Sequence, residues 1–488
     1  MFDVLERIRK VSNCHAGSIF FSLFRKSCGI VHAWLPKKDS CGMTKKDFPN
    51  TLLANRRPNA CFLFVLIFLL AKMEFGYAGD IFVGESAKFK TIRAALEHAA
   101  PGDRIFVQAG TYREGSVVIS KPVELLGESG AIIDGEKKHQ PLLITADNVR
   151  ISGFTIRDVG VSYVDDNAAI KVANAENVII ENNLFDDAFF GVYLAKASNV
   201  RIENNIFAGE ARREANSGNG VHAWSSENIQ IFDNTISGHR DGIYLEFVEK
   251  SNVRGNLSEN NLRYGLHFMF SHDNEYTENT FRHNGAGVAV MYTKRVLMRR
   301  NRFERNWGSA SYGLLLKEIN DSQITENVFA ENSIGIYTEA SNRLHVFKNT
   351  FRQNGWAVKI MANSMDNKFE KNNFLDNSFE VATNSRQNFN TFSGNFWSRY
   401  KGYDLERDGI GDQPHRPVRL FSILVEKQAP ALILMRSVFI DLLDVAERAF
   451  PVLTPETLLD QEPAMRKFNL PHTTPKSQVA EVLTGQRR

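Results

Sequence analysis

The sequence predicts an all-β fold, a right-handed parallel β-helix in which short strands stack coil upon coil. The first observation is an Asn-x-aromatic or Asn-x-apolar unit that recurs ten times, with seven of its nine intervals equal to 22 or 23 residues. A period of this length predicts a stacked repeat fold. The leucine spacing of a leucine-rich repeat is absent. The repeated asparagines are Asn183, Asn205, Asn234, Asn256, Asn279, Asn301, Asn327, Asn349, Asn372 and Asn395.

The second observation is a pair of similar strands, Gly265–Met269 and Gly287–Met291, offset by 22 residues. In both, the residues one and three places after the glycine are apolar, which is the pattern of a strand with one buried face. The alternate residues His267, Met269 and Met291 are therefore expected to point outward on neighbouring coils.

A third observation is a set of phenylalanines that share one inward position in successive coils and should stack as an aromatic column. Its members are Phe185, Phe207, Phe281, Phe303, Phe329, Phe351 and Phe374. The two long intervals contain residues 211–216 and 308–311, which we interpret as loop insertions on individual coils. Asn and Gly are expected at the corners, where left-handed backbone is needed.

Residues 1–78 read as a leader with a signal peptide. Basic residues precede the apolar run from Cys61 to Ala71, which is shorter than the roughly 20 residues of a membrane-spanning helix. The small residues that end at Ala78 suit cleavage by a signal peptidase after Ala78. Met43 would begin a leader of ordinary length and is predicted to be the true start; the alternative is a genuine extended leader.

The charge and cysteine content narrow the function classes. The leader holds 12 of the 59 basic residues and only 5 of the 56 acidic ones, so the rest of the chain carries a slight net negative charge. Without a positive net charge, binding to nucleic acid loses its main support. All four cysteines also lie in the leader. A metal site in the rest of the chain must therefore use His, Met or carboxylate.

Residues 79–140 are predicted to form an N-terminal cap and the first coils, and residues 141–400 the β-helix. Phe89, Ile92, Ala95, Leu96 and Ala99 recur at helical spacing before a Pro-Gly stop. A short amphipathic helix here would cover the apolar end of the solenoid.

Residues 401–420 form an acidic, glycine-rich segment predicted to close the solenoid. Its alternating carboxylates Asp404, Glu406, Asp408 and Asp412 resemble a calcium loop. A full calcium loop would continue to a further glutamate, but Gln413 follows here instead. The alternative is a capped turn.

Residues 421–472 are predicted to be an amphipathic helical docking segment, and residues 473–488 a disordered tail. Val438, Leu442, Leu443 and Val445 lie on a helix that Pro451 ends. Interspersed charges exclude a membrane span, so the helix either covers the end of the solenoid or docks on a partner.

The outward columns carry the candidate site. His267, Met269 and Met291 form one patch, because neighbouring coils lie about 4.8 Å apart. Imidazole and thioether are soft donors that suit Cu(I). His272, on the following corner, is a further candidate ligand. The alternative is that a loop or the C-terminal segment covers this face and the methionines are adaptable packing.

A carbohydrate-active site is a second interpretation of the same face, since Trp224, Tyr244 and Glu246 also point outward. Glycoside hydrolysis needs two carboxylates facing each other across the bond. The acidic pairs at 165–166 and 186–187 sit at predicted corners, where they need no catalytic explanation.

Three stretches resemble the NosD family: GLHFMFSHDN followed by GVAVMYT; TIRAALEHAAPGDRIFVQAGTY; and NFWSRYKGYDLERDGIGDQPHRPVRLF continuing to LLDVAERAFPVLTP. The similarity covers residues from about 80 to 465. The family's His/Met region falls on His267, Met269 and Met291.

This resemblance implies a periplasmic, non-enzymatic subunit of an ABC transporter complex, with its permease and ATPase. With a copper chaperone it would deliver copper to nitrous oxide reductase and assist its maturation, and the amphipathic helix would dock on the permease. A secreted polysaccharide lyase or hydrolase and a purely structural scaffold remain as alternatives.

Overall fold

The computed structural model describes residues 78–162, 165–308, 311–385, 387–435, 437–449 and 458–470. The predicted leader up to residue 77 and the tail 473–488 lie outside the described residues. Within the described part the chain winds as a parallel β-helix with three sheets, of 14, 13 and 12 strands, in which each strand pairs in parallel with strands of the adjoining coils. The predicted fold is confirmed.

The first sheet contains strands Asp80–Val83, Arg104–Val107, Glu124–Gly127, Arg150–Ser152, Ile179–Glu181, Arg201–Glu203, Gln230–Phe232, Asn252–Arg254, Glu275–Thr277, Leu297–Arg299, Gln323–Thr325, His345–Phe347, Lys368–Glu370 and Thr391–Ser393. The second contains Gly110–Tyr112, Ala131–Asp134, Thr155–Arg157, Leu184–Asp186, Ile206–Ala208, Thr235–Ser237, Leu257–Glu259, Thr280–Arg282, Arg302–Glu304, Val328–Ala330, Thr350–Arg352, Asn373–Leu375 and Phe396–Trp397. The third contains Val117–Ile119, Leu142–Ile144, Ala168–Ala173, Phe190–Ala195, Val221–Trp224, Asp241–Glu246, Tyr264–Met269, Ala286–Met291, Tyr312–Lys317, Ile334–Glu339, Trp356–Ile360 and Phe379–Thr383.

The repeated asparagines form a buried ladder of side-chain amides. Asn279 is typical: its Oδ1 accepts the backbone N–H and the Nδ2 of Asn256 at 2.9 Å each, and its Nδ2 donates to the carbonyl of Val253 at 2.8 Å. The left-handed corner is the residue before, Glu278, with φ 58°. Asparagines do occupy left-handed corners as expected, for example Asn182, Asn204 and Asn260, but those of the ladder satisfy buried backbone groups instead.

The structure contains a second amide ladder that the sequence did not predict. It follows the second sheet, and in it the Oδ1 of one asparagine accepts the backbone N–H of its counterpart one coil earlier, as Asn284 does from Asn261 at 3.0 Å. Its members are Asn261, Asn284, Asn306, Asn332, Asn354 and Asn377.

The predicted phenylalanine column is confirmed, with all seven side chains fully buried. From Phe303 through Phe329 and Phe351 to Phe374, the ring centroids lie 4.6 to 4.9 Å apart. Ile236 and Ser258 interrupt the column between Phe207 and Phe281.

Helix α1 (Ile92–His98) begins after Thr91, whose hydroxyl accepts the N–H of Ala94. It buries Ile92, Ala95 and Leu96 against the first coils, as predicted. Helix α2 (Leu420–Lys427), a 3₁₀ segment (Ala429–Leu434) and helix α3 (Val438–Ala449) follow the last coil. No helix in the described ranges is long and apolar enough to span a bilayer.

Helix α2 lies on the outer face of the last third-sheet strands. Phe421 and Val425 form a small apolar cluster with Phe379, and Lys359 Nζ lies 2.6 Å from Glu426 Oε2. The C-terminal segment therefore covers the end of this face, several coils beyond the predicted methionine patch.

Residues 458–470 close the end of the β-helix. They are not helical, so the prediction of a helical segment over 421–472 is wrong for this part of it. Asp460 is fully buried, and its backbone forms isolated β-bridges with Phe392 and His415. Its Oδ2 accepts both the backbone N–H and the Nδ2 of Asn395, at 3.0 and 2.9 Å. Asp460 thus occupies the position in the ladder that a further asparagine would have.

Candidate functional site

The outer face of the third sheet brings the predicted patch together. Met269 lies in register with Met291, with Glu246 before the pair and Lys317 after it. In-register residues on neighbouring coils are about 4.8 Å apart. Gly265 permits the close stacking, because a Cβ there would lie 2.7 Å from the carbonyl oxygen of Gly287.

The two methionines are partly exposed, whereas Leu266 and Phe268 of the same strand are fully buried in the core. The strand alternates as predicted. Since both residues are partly exposed, the interpretation of Met269 and Met291 as ordinary covered packing is disfavoured.

His267 is on the same face but only 4% exposed. Its ring stacks on Tyr244 at 4.5 Å and lies 4.9 Å from that of Tyr264. Neither ring nitrogen has a hydrogen-bond partner among the described residues. Burial lowers the pKa of His267 to about 4; nearby arginines reinforce the shift and Asp241 opposes it. The imidazole is therefore neutral at neutral pH, the form that ligates metals.

Asp241 organises the surroundings of this histidine. It is fully buried, pairs with the guanidinium of Arg263 through both carboxylate oxygens, and places Oδ2 4.0 Å from His267 Nδ1. The charge of Glu214, in the first loop insertion, acts on Arg263 and Tyr264. Sequence reasoning missed Asp241, because nothing in the repeat distinguishes it from an ordinary strand residue.

His222 and His239 are two further buried histidines. His222 lies between the rings of Tyr193 and Tyr244, at 4.7 Å from each, and burial, reinforced by the charge of Arg240, lowers its pKa to about 3. Burial lowers the pKa of His239 to about 4. Both rings are neutral in the folded protein at pH 7.

These shifts predict acid sensitivity. The unfolded chain takes up protons below about pH 6.5, while the folded rings stay neutral, so stability is fully retained above that pH and falls towards pH 4 by about 1.4 kcal/mol per pH unit per histidine. Urea unfolding at pH 7 and pH 5 measures the loss. His222→Phe, which preserves stacking, should lose less between these pH values; an unchanged loss would contradict the assignment.

Tyr244 connects the aromatic stack to the methionines, since its hydroxyl donates to Met269 Sδ at 3.4 Å. Burial, aided by Glu246, raises the pKa of Tyr244 to about 12, so the hydroxyl remains a donor. This bond uses thioether electron density that a soft metal would need.

Tyr244→Phe is therefore expected to tighten Cu(I) binding by about threefold to tenfold, the range set by one hydrogen bond. Tyr337→Phe, in the same outward column but farther along the helix, is the matched control. Competition against a chromophoric Cu(I) chelator measures both. Weaker binding by Tyr244→Phe would show that the hydroxyl supports the site instead.

His272 belongs to a different part of the surface. It follows the left-handed residue Phe270 on the turn to the first sheet, where its charged neighbours include Lys294, Glu249 and Asp273. It is not part of the stack that contains His267. His283 lies at another corner, after strand Thr280–Arg282 of the second sheet.

The acidic loop has the geometry of a capped turn. Asp404 accepts the N–H of Asp408 and of Gly409, Asp408 accepts that of Ile410, and Asp412 that of Leu405. Glu406 is exposed. Among the described residues, no group of three or more His, Cys, Asp or Glu is placed to hold a metal ion. The calcium interpretation is thus unsupported.

The two glutamates in the column of Met269 and Met291 are too far apart for glycoside hydrolysis. Glu246 and Glu339 occupy one column four coils apart, or about 19 Å at the usual strand spacing. Retaining and inverting enzymes need about 5 to 9.5 Å. Of the acidic pair predicted at a corner, Asp187 is a left-handed corner residue that lies 3.6 Å from Lys137, whereas Asp186 is the last residue of strand Leu184–Asp186.

Helix α3 presents part of its predicted docking face. Val438, Leu442 and Val445 are 73%, 63% and 56% exposed. Leu443 was predicted to share this face, which is wrong: it packs inward with Ile440 against the cluster under α2. The helix packs with one side on α2 and its apolar cluster and leaves an apolar side open.

The chain matches two family models and is similar to two known proteins. Residues 208–402 match the family model described as "Periplasmic copper-binding protein (NosD)", and residues 121–216 match "Right handed beta helix region". The chain is 30% identical over 423 residues to "Probable ABC transporter binding protein NosD" of Pseudomonas aeruginosa, covering 75% of this chain and 89% of that protein. The protein of the same description from Stutzerimonas stutzeri is 29% identical, over 73% and 86%.

Among solved structures, the catalytic domain of a GH87 α-1,3-glucanase in complex with nigerose matches with a TM-score of 0.55 and 12% identity, over 66% of this chain and 69% of that one. At this identity the likeness shows the shared β-helix fold alone.

Proposed function

The chain belongs to the NosD family of periplasmic copper-binding proteins, and we propose that it is a periplasmic accessory subunit that holds Cu(I) through Met269, Met291 and His267. From this site it passes copper on for the maturation of nitrous oxide reductase. The observation that carries the proposal is the in-register methionine pair, partly exposed beside a histidine whose two ring nitrogens lack partners.

The donor set fits Cu(I) as cargo. Two thioethers and a neutral imidazole are soft, uncharged ligands that favour Cu(I) over Mg²⁺ or Ca²⁺. Glu246 lies beside Met269 and its pKa is raised by burial. Its carboxylate can offset the single charge of the ion. A site on an exposed strand face, with few ligands, suits transfer rather than storage.

The test of the site is a Cu(I) titration of the mature protein against a chromophoric chelator, with X-ray absorption to identify the ligands. Sulfur and nitrogen scatterers with one tightly bound Cu(I) per chain are expected. Binding through oxygen and nitrogen only, or no binding stronger than that of the chelator, would contradict the proposed site.

The exposed side of α3 supports association with the membrane subunit of an ABC transporter. Val438, Leu442 and Val445 form an apolar face on a helix whose other side packs against α2 and its apolar cluster. Amphipathic helices of this kind dock through apolar residues one turn apart. The relatives described as ABC transporter binding proteins give the partner class.

Val438→Asp with Leu442→Asp is expected to abolish co-purification with the transporter, because two charges would be buried at the interface. Val118→Asp, at an apolar side chain 45% exposed in the N-terminal part, is the matched control. Retained co-purification of the α3 variant would place the docking surface elsewhere.

A further inference from the structure

A buried carboxylate lies beside His267 at a position where the next two coils carry none. Asp241 begins strand Asp241–Glu246 and is fully buried. In the register of the third sheet, the two following coils place Tyr264 and then Ala286 at the same position. The coil geometry therefore does not require an acid here. Because a buried ion pair can often be replaced by apolar residues without loss of stability, the fold alone gives little reason for this carboxylate.

The side chain of Arg263 fixes the orientation of the carboxylate. Its Nε donates to Oδ1 of Asp241 at 2.9 Å, and its Nη2 donates to Oδ2. The backbone N–H of Tyr264 also donates to Oδ1, at 3.3 Å. Such a two-pronged contact is geometrically specific. Since each carboxylate oxygen can accept more than one hydrogen bond, Oδ2 retains the capacity for a further donor.

The imidazole of His267 lacks the partner that this oxygen could provide. Both ring nitrogens are buried and without a hydrogen-bond partner among the described residues. Nδ1 lies 4.0 Å from Oδ2 of Asp241, about 1 Å beyond an ordinary hydrogen bond. The guanidinium groups of Arg240 and Arg263, which also lie close to Oδ2, can only donate. The carboxylate is thus placed to accept a proton carried on Nδ1.

We propose that Asp241 is a positioning residue for His267: when Cu(I) is bound, the carboxylate accepts the Nδ1–H proton and thereby presents Nε2 to the ion. The inference rests on the proposed copper function. A histidine that ligates a metal usually donates its other N–H to a carboxylate, a carbonyl or water, which fixes the tautomer and the ring orientation. Arg263 acts one step further out, by holding the carboxylate in place.

The test compares Asp241→Asn with Asp134→Asn. The asparagine oxygen still accepts from Arg263, whereas the nitrogen in place of Oδ2 has no acceptor for the Nδ1–H proton. Asp134 is the matched control, because it is a buried aspartate paired with an arginine, Arg157, at 3.0 Å on the second sheet. Competition against a chromophoric chelator measures Cu(I) affinity, and X-ray absorption identifies the nitrogen and sulfur ligands.

Asp241→Asn should weaken Cu(I) binding about tenfold, the lower end of the range for partners of this kind, and should lose the nitrogen ligand while keeping sulfur. Asp134→Asn should bind like the wild type. In a His267→Phe background, Asp241→Asn should cause no further loss, because the carboxylate acts through the imidazole. An equal loss in both backgrounds would show a purely structural role and overturn the inference, and so would wild-type affinity in Asp241→Asn.

A second measurement needs no substitution at all. Long-range heteronuclear NMR on histidine-labelled wild-type protein reports which ring nitrogen carries the proton. In the Cu(I)-loaded chain, His267 should be protonated at Nδ1 and ligated through Nε2. Ligation through Nδ1 would overturn the inference, even if Asp241→Asn failed to fold.

The failure of this inference is distinguishable from that of the proposed function. A wild-type chain that takes up no Cu(I) from the chelator would overturn both. Uptake by the wild type through sulfur and nitrogen, with unchanged affinity in Asp241→Asn, would leave the proposed function standing and remove Asp241 from it.

Discussion

Replacing Met269 and Met291 together by leucine is expected to weaken Cu(I) binding by at least about 100-fold while leaving the fold intact. Leucine is close to methionine in volume, and such exchanges cost less than about 1.5 kcal/mol even in a core. Both thioethers are lost at once. Changes to residues that merely support metal ligands already cost about 10- to 100-fold in affinity, so the loss of two direct ligands should exceed that range.

The matched control is Met361→Leu, at a partly exposed methionine directly after strand Trp356–Ile360, in which Lys359 is paired with Glu426 of α2. Its Cu(I) affinity should equal that of the wild type. His267→Phe, which retains the stack on Tyr244, should give an intermediate loss of about tenfold. Competition titration with a chromophoric chelator ranks all variants. Unchanged affinity in the double variant would remove the methionine pair from the site.

The fold could be predicted because its determinants repeat. A 22-residue offset and a period-2 apolar pattern fix which residues share a column, and the paired register of Met269 with Met291 follows directly. The same logic identified the phenylalanine column. Each of these features depends on neighbours one coil away, and the sequence displays that distance many times.

The burial and the polar contacts of the residues in each outward column could not be predicted, because they depend on side chains that do not recur from coil to coil. His267 was expected to be outward and is, yet the stacked rings and the Asp241–Arg263 pair bury it. His272 was grouped with it by proximity in sequence, but the left-handed turn at Phe270 separates them. Side-chain burial on an outer face depends on single large neighbours, which periodicity does not reveal.

The outer face of the third sheet is open along only part of its length. At its C-terminal end, Phe421 of α2 packs on Phe379. At the other end, His222 and its tyrosine neighbours bury one another. The coils of Met269 and Met291 lie between, with partly exposed side chains. The covered ends secure the fold, and the open coils remain available to a ligand.

Asp460→Ala is expected to destabilise the C-terminal end of the β-helix by about 3–5 kcal/mol, the usual effect of breaking a buried charged network. The carboxylate also accepts from Gly394 N at 3.0 Å and from Trp397 Nε1 at 2.9 Å. Without it, these buried donors and those of Asn395 are left without partners, each at a cost of about 1–3 kcal/mol before relaxation.

Asp460→Asn should lose less, because one amide oxygen can still accept from Asn395 in the way that the ladder asparagines do. Glu462→Ala, two residues away at an exposed side chain, is the control. Because long repeat arrays need not unfold in one step, hydrogen exchange of the last coils is the appropriate measurement. Equal rates of amide hydrogen exchange at Asn395 and Trp397 in Asp460→Ala and Glu462→Ala would mean that Asp460 does not stabilise the end of the ladder. Faster exchange confined to Asp460→Ala would show that a residue 65 positions away in sequence completes the ladder.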